Sequence, residues 1–132
     1  MKFAFIFLAI SLYFFVPGFT QQPADSLKLL LSKTVQDSSK IDLSIELSTT
    51  LKYSDPDDAM KFLQEAFLLC EKSEDTYRKA EVIYEIGTIY DLKGELPSAI
   101  KQFTMASDLF KSSNDSYRFA ESENYLGRIY EK

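Results

Sequence analysis

The chain has 132 residues, 45% of them hydrophobic, and its 20 acidic residues outnumber 15 basic ones for a formal charge of -5. That length fits one domain, or part of one, with enough apolar material for a packed core. The acidic balance argues against a nucleic-acid partner, the lack of histidine removes the commonest general base and metal ligand, and the single cysteine, Cys70, cannot form an intramolecular disulfide.

Residues 1–20 differ in character from the rest. Lys2 precedes an apolar run over 3–16, which Pro17-Gly18 ends. This pattern reads as a secretory signal peptide, and the run is shorter than the ~20 residues that span a bilayer. Small residues at Gly18 and Thr20 place the expected cleavage after Thr20. No cysteine follows the run, so a lipid anchor is not indicated. Left uncleaved, the same segment would act as a signal anchor. Export to a bacterial periplasm is the expectation, and a lone cysteine there reads as a small buried hydrophobe.

From Asp25 onward the apolar spacing is helical, without β-type alternation. Residues 21–37 are expected to form an N-terminal capping helix carrying Leu27, Leu30, Leu31 and Val35, with Asp25 or Ser26 as its N-cap. A second helix carries Leu43, Leu47 and Leu51. The stretch Ser54-Asp55-Pro56-Asp57-Asp58 stops it and starts a third, with Asp55 as cap, Pro56 in the first turn and two carboxylates at the positive end of the helix dipole. These aspartates resemble a calcium loop only superficially, since the glycine and the distant bidentate glutamate are missing. The third helix carries Ala59, Leu63, Ala66, Phe67 and Cys70.

Sliding the chain by about 40 residues aligns it with itself, as a helical repeat would. Ala59, Lys61, Ala66 and Leu69 meet Ala99, Lys101, Ala106 and Leu109. Ser73, Asp75, Tyr77 and Arg78 meet Ser113, Asp115, Tyr117 and Arg118, and Gly87, Ile89 and Tyr90 meet Gly127, Ile129 and Tyr130. An earlier copy places Ser48 against Gly87 and Leu51 against Tyr90. The repeats expected are 38–74, 75–114 and a half repeat 115–132. Ile86-Gly87-x-x-Tyr90 on a first helix, followed by Ala99, Phe103 and Ala106 on a second, resembles the tetratricopeptide repeat. Ile83 stands where that family usually has tryptophan. The departures are that missing tryptophan, a missing terminal proline and a period longer than its usual 34 residues. The longer repeats are similar to those in exported sensor regions of bacterial histidine kinases and helix-turn-helix regulators.

The resemblance implies an all-α, antiparallel helix-turn-helix solenoid of about six helices after the signal peptide. Its packing positions would be Ser48, Leu51, Ala59, Leu63, Ala66, Ile83, Ile86, Gly87, Tyr90, Ala99, Phe103, Ala106, Leu126, Gly127 and Tyr130. Gly87, unfavourable inside a helix, would let the partner helix approach closely. Gly94 suits a left-handed cap. The resemblance also implies a concave groove lined by Asp42, Ile45, Thr49 and Lys52, then Glu81, Tyr84, Thr88 and Asp91, then Glu121, Asn124 and Arg128, with Tyr84 and Ile45 as anchors for an extended peptide. The half repeat reads either as a polar capping helix, through Ser122 and Glu123, or as the edge of a fragment whose Ala120, Leu126, Ile129 and Tyr130 await another helix; its intact Leu-Gly-x-x-Tyr favours the second.

No phosphate loop, metal-ligand spacing or nucleophile–histidine pair occurs. A non-catalytic module for protein–protein interaction is therefore expected, as the periplasmic sensory part of a longer signalling protein, with a protein or extended peptide as partner and no cofactor or metal. The alternatives are the sensor segment of a histidine kinase and a membrane-anchored structural adaptor. Contact with a membrane would come only through an uncleaved signal segment or a missing C-terminal part.

Overall fold

The computed structural model of the chain describes residues 23–132, so the expected signal segment lies outside the described residues. Six α-helices follow one another: α1 Pro23–Lys33, α2 Asp37–Leu51, α3 Pro56–Ser73, α4 Thr76–Leu92, α5 Leu96–Ser112 and α6 Ser116–Tyr130. No strand occurs among the described residues. The fold is all-helical.

Local chemistry sets the helix ends. α1 begins at Pro23, whose fixed φ and missing N–H suit a first helical position. The expected caps Asp25 and Ser26 therefore lie inside the helix. Val35 falls in the connection after α1 and is exposed, and Leu30 faces outward; neither joins the apolar stripe expected of them. Asp55 caps α3 by accepting from the Asp58 N–H at 3.0 Å. Asp75 and Asp115 cap α4 and α6 in the same way, from the N–H groups of Arg78 and Arg118 at 3.0 and 2.9 Å. The last three turns, from α3 to α4, α4 to α5 and α5 to α6, hold one left-handed residue each, at Glu74, Gly94 and Asn114, a conformation that favours glycine and, after it, asparagine.

Each helix packs on its neighbour in the chain, and α2 also touches α4. Consecutive helices reverse direction: Tyr77 meets Phe110 while Tyr84 meets Phe103, so α4 and α5 run antiparallel. Alternate helices run the same way. Asp42 and Lys52 of the α2 region meet Arg78 and Glu85 of α4 in order.

Two apolar clusters hold this arrangement. One joins α2, α3 and α4 through Ile41, Leu47, Leu63, Ala66, Cys70, Val82 and Ile89. The other joins α4, α5 and α6 through Ile83, Phe103, Ala106, Phe110, Leu126 and Ile129. α4 contributes to both, which is why burial extends around most of its circumference. Gly87 lies where α5 crosses α4: a Cβ built there would stand 3.2 Å from Phe103 Cε1 and 3.2 Å from Gln102 Cβ. Ser48 holds the same place in α2, buried, with its hydroxyl donating to the Ile45 carbonyl at 2.8 Å.

α6 departs from the expected repeat in three ways. Leu126 and Ile129 are already buried against α5 and do not await another helix. Ser122 is fully buried, with its hydroxyl satisfied by the Arg118 carbonyl, so it is no polar outer position. Gly127 and Tyr130 are not packing residues: a Cβ at Gly127 would meet nothing within 4 Å, and Tyr130 is 71% exposed. The sequence of α4 recurs, but the helix that covers α4 has no counterpart over α6 among the described residues.

Cys70 is 1% exposed, and burial pushes its thiol up to about 11. Thiol reagents act on the thiolate. At pH 8 the folded chain should therefore leave Cys70 unmodified for hours by a colorimetric thiol assay and react completely in denaturant. Rapid labelling of the native chain would contradict this burial.

Candidate interaction surface

The parallel helices α2, α4 and α6 carry all the residues expected to line a groove, except Lys52 just past the end of α2. What ties them together begins at their N-termini. Once Asp75 has capped α4, Arg78 sits in the first turn and its side chain reaches back to α2. Its Nε and Nη2 donate to the two carboxylate oxygens of Asp42 at 2.6 and 3.0 Å, and its Nη1 donates to Asp75 at 2.9 Å. Asp42, and then Asp75, raise the Arg78 guanidinium above its ordinary pKa. The planar fork matched to a carboxylate is the strongest kind of side-chain ion pair.

The same device recurs one repeat later. Arg118 donates to Glu81 of α4 at 3.2 Å and to Glu121 at 2.9 Å. Its guanidinium also lies over the rings of Tyr84 and Phe110, 5.0 and 5.4 Å from their centroids. The Tyr77 hydroxyl donates to Asp115, the next cap in the series, at 3.1 Å. The repeated Asp-x-Tyr-Arg connector is thus a clasp: in both copies the aspartate caps and the arginine reaches back, and in the first copy the tyrosine, Tyr77, also reaches forward.

These contacts change the expected groove. Asp42, Glu81 and Glu121 are engaged by the clasp arginines, Lys52 pairs with Glu85 at 3.5 Å, and Asp91 pairs with Lys132 at 2.7 Å. Tyr84 is 4% exposed and is not a surface anchor. Tyr125 and Arg118 of α6 fold over it, and it meets Phe103 and Tyr125 edge-on at 5.4 and 5.6 Å. Burial and the nearby acidic groups push its phenol up. Thr88 is likewise buried, its hydroxyl donating to the Tyr84 carbonyl at 3.2 Å. Ile45 is half-buried, while Thr49, Asn124 and Arg128 are exposed.

Three residues that sequence reasoning passed over matter here. Tyr125 closes the second cluster by stacking on Phe103 at 5.0 Å. Tyr53, 77% exposed, stands beside Lys52, whose ammonium lies 5.7 Å from the ring centroid. Its place in the polar turn Lys52-Tyr53-Ser54-Asp55 was the available signal of exposure. Glu85 is a carboxylate inside a helix interface, and its spacing among Ile83, Ile86 and Ile89 marked it as inward-facing.

Glu85 gives a pH test of this geometry. Burial pushes its carboxyl up, and Lys52 and Arg118 oppose that shift only in part. The folded state then holds the proton more tightly than the unfolded chain. Its contribution to stability is most favourable below the ordinary glutamate value of about 4.3 and is lost as pH rises through the folded pKa. Subtracting the melting profile of Glu85→Gln from that of the parent across pH 4–7 should leave a slope that falls with pH. A flat difference would show that Glu85 is solvated.

Elsewhere the surface is shallow. A depression of about 380 Å³ lies between α1 and α2, lined by Leu30, Thr34, Ser39, Asp42, Leu43 and Glu46. Among the described residues no group of three or more acidic, cysteine or histidine side chains is placed to hold a metal ion, and no helix is long and apolar enough to cross a membrane. No protein-family model, curated protein or solved structure matches the chain.

Proposed function

We propose that the chain is a non-catalytic interaction module of the tetratricopeptide type, a short solenoid whose first helices together present one face to a protein or extended peptide. The observation that carries this reading is the recurrence of the arginine clasp, Arg78 to Asp42 and Arg118 to Glu81, at separations of 36 and 37 residues. Recurrent contacts at a near-constant separation are what stacked, similar helix pairs produce. Together with the Lys52–Glu85 and Asp91–Lys132 pairs, the clasp engages most of the charged groups of that face. Recognition then falls to the groups it leaves: Ile45, Thr49, Asn124 and Arg128, with Tyr53 in place of Tyr84 as the accessible aromatic. Aromatic and arginine side chains are the usual anchors of such contacts.

A photoreactive amino acid at Thr49 or Asn124, on α2 and α6, should capture a defined partner in cells. The same group at Gln64 or Thr104, exposed on α3 and α5, should not. Equal capture from both sides, or none from the first, would remove the reading. The amino-terminal pattern of residues 1–20 supports export, and with it a role as the sensory portion of a signalling protein. A mature chain beginning at Gln21, found by mass spectrometry, is the expected result; retention of the apolar segment would favour a membrane-anchored adaptor.

A further inference from the structure

Arg78 and Arg118 repeat one contact, but another ion pair on the same side of the row has no repeat. Lys52, just past α2, reaches Glu85 of α4 at 3.5 Å, and the two side chains are 17% and 10% exposed. One repeat later the equivalent positions hold Asp91 and Tyr125, which cannot pair by charge. Stacking of similar helix pairs therefore does not demand an ion pair here, and a carboxylate enclosed in a helix interface costs free energy that an apolar side chain would not. Among the described residues Lys52 is the one hydrogen-bond partner of the Glu85 side chain. From α6, Arg118 attracts the carboxylate and Glu121 repels it; Glu81, one turn earlier on α4, is taken by Arg118. Lys52 has a second neighbour in the exposed Tyr53, whose ring centroid lies 5.7 Å from its ammonium.

We infer that Glu85 and Lys52 form a proton-operated latch: with Glu85 charged, Lys52 is drawn in against α4, and with Glu85 protonated, Lys52 is released to solvent and the Lys52-Tyr53 turn loses its tie to α4. The neutral acid offers Lys52 no counter-charge, and an ammonium left enclosed without one is costly. Its flexible stem lets the charge reach water while the methylenes stay against the protein. The order of protonation favours this group. Burial pushes the Glu85 carboxyl up, whereas hydrogen bonds from the Lys28 ammonium and the Arg118 N–H hold Asp58 and Asp115 below the usual carboxylate range. The chain has no histidine to titrate near neutrality, so a carboxyl raised in this way is what answers to mild acid. The latch is closed above the folded Glu85 value and opens below it, at a pH higher than the ordinary glutamate value of about 4.3. Opening adds one free positive charge beside Tyr53, which would turn that end of the face toward an acidic partner. The latch is a property of α2 and α4 and operates whether or not the face binds a partner.

Nuclear magnetic resonance of the isotopically labelled chain across roughly pH 4–7.5 can follow the Glu85 carboxyl carbon, the Lys52 Cε and the Tyr53 ring together. All three signals should move with one shared midpoint, above about 4.3. The melting difference of Glu85→Gln reports proton uptake alone, whereas the Lys52 and Tyr53 signals report the movement. Glu85→Gln, neutral and of the same shape, should hold both signals at their acid positions throughout. Lys52→Met should leave Glu85 titrating, with its midpoint raised further by loss of the nearby ammonium, while the Tyr53 ring no longer follows. A Glu85 midpoint at or below the ordinary value overturns the inference. So do Lys52 signals that ignore the Glu85 titration, or a Tyr53 titration that persists unchanged in either variant.

Discussion

Phe103→Ala should cost about 3–5 kcal/mol, the range for removing a fully buried aromatic side chain. Phe103 has no exposed surface, and it lies where three helices meet. It stacks on Tyr125 of α6 and meets Tyr84 of α4 edge-on. Phe110 of the same helix also touches both neighbours, through Tyr77 and the Arg118 guanidinium, but Phe103 pairs with an aromatic ring on each. Against a total stability of roughly 5–15 kcal/mol for a domain, the loss is large. It corresponds to a fall of about 10–25 °C in melting temperature for a chain of this size. Met105, two positions along the same helix, is 39% exposed, and Met105→Ala should stay within about 1 kcal/mol of the parent. Chemical denaturation of the two variants measures the contrast. Equal losses would mean that α5 does not present Phe103 to α4 and α6.

The second large effect separates two glycines that the sequence makes equivalent. Gly87→Leu should destabilise by about 1–3 kcal/mol or more through overpacking, since its side chain would have to occupy the ring of Phe103. Gly127→Leu should do no harm, because nothing lies within 4 Å of the new Cβ. The alanine variants sharpen the comparison. Gly127→Ala should gain about 1 kcal/mol of helix propensity. Gly87→Ala gains the same term but sets a methyl group 3.2 Å from the Gln102 Cβ and the Phe103 ring. The net change at 87 should therefore be near zero or destabilising. A gain at 87 as large as that at 127 would refute the close crossing of α4 and α5.

That contrast also marks what a single sequence reveals of this fold. The six helices, the Asp55 cap and the small residue at 87 were legible because each depends on neighbours within a few residues, or on a partner helix one turn away in the chain. Tyr84 was misplaced for a physical reason. Its spacing on α4 points it at the inner face, as expected, but Tyr125 and Arg118, about 40 residues downstream on a third helix, determine that it is covered. Gly127 and Tyr130 were misplaced for the opposite reason: the motif recurs on α6, yet among the described residues no helix lies over it as α5 lies over α4. The clasp was half legible. The recurrence of Tyr77-Arg78 as Tyr117-Arg118 was visible in the repeat, while the acceptors Asp42 and Glu81 had been assigned to a groove. A repeat shows which positions correspond; it does not show whether the corresponding neighbours are present.

The pattern of contacts also bears on how the chain folds. Each helix leans on those next to it, and the longest hydrogen bond among the described residues, from Lys132 to Asp91, spans 41 positions. Among the described residues no pairing joins segments far apart in the chain, so the entropy of closing large loops is small there. Chains with such local topology fold in microseconds to milliseconds. Opening should be graded rather than uniform. α4, held in both apolar clusters, should exchange its amide hydrogens slowest. α1 and α6, each gripped from one side, should exchange first.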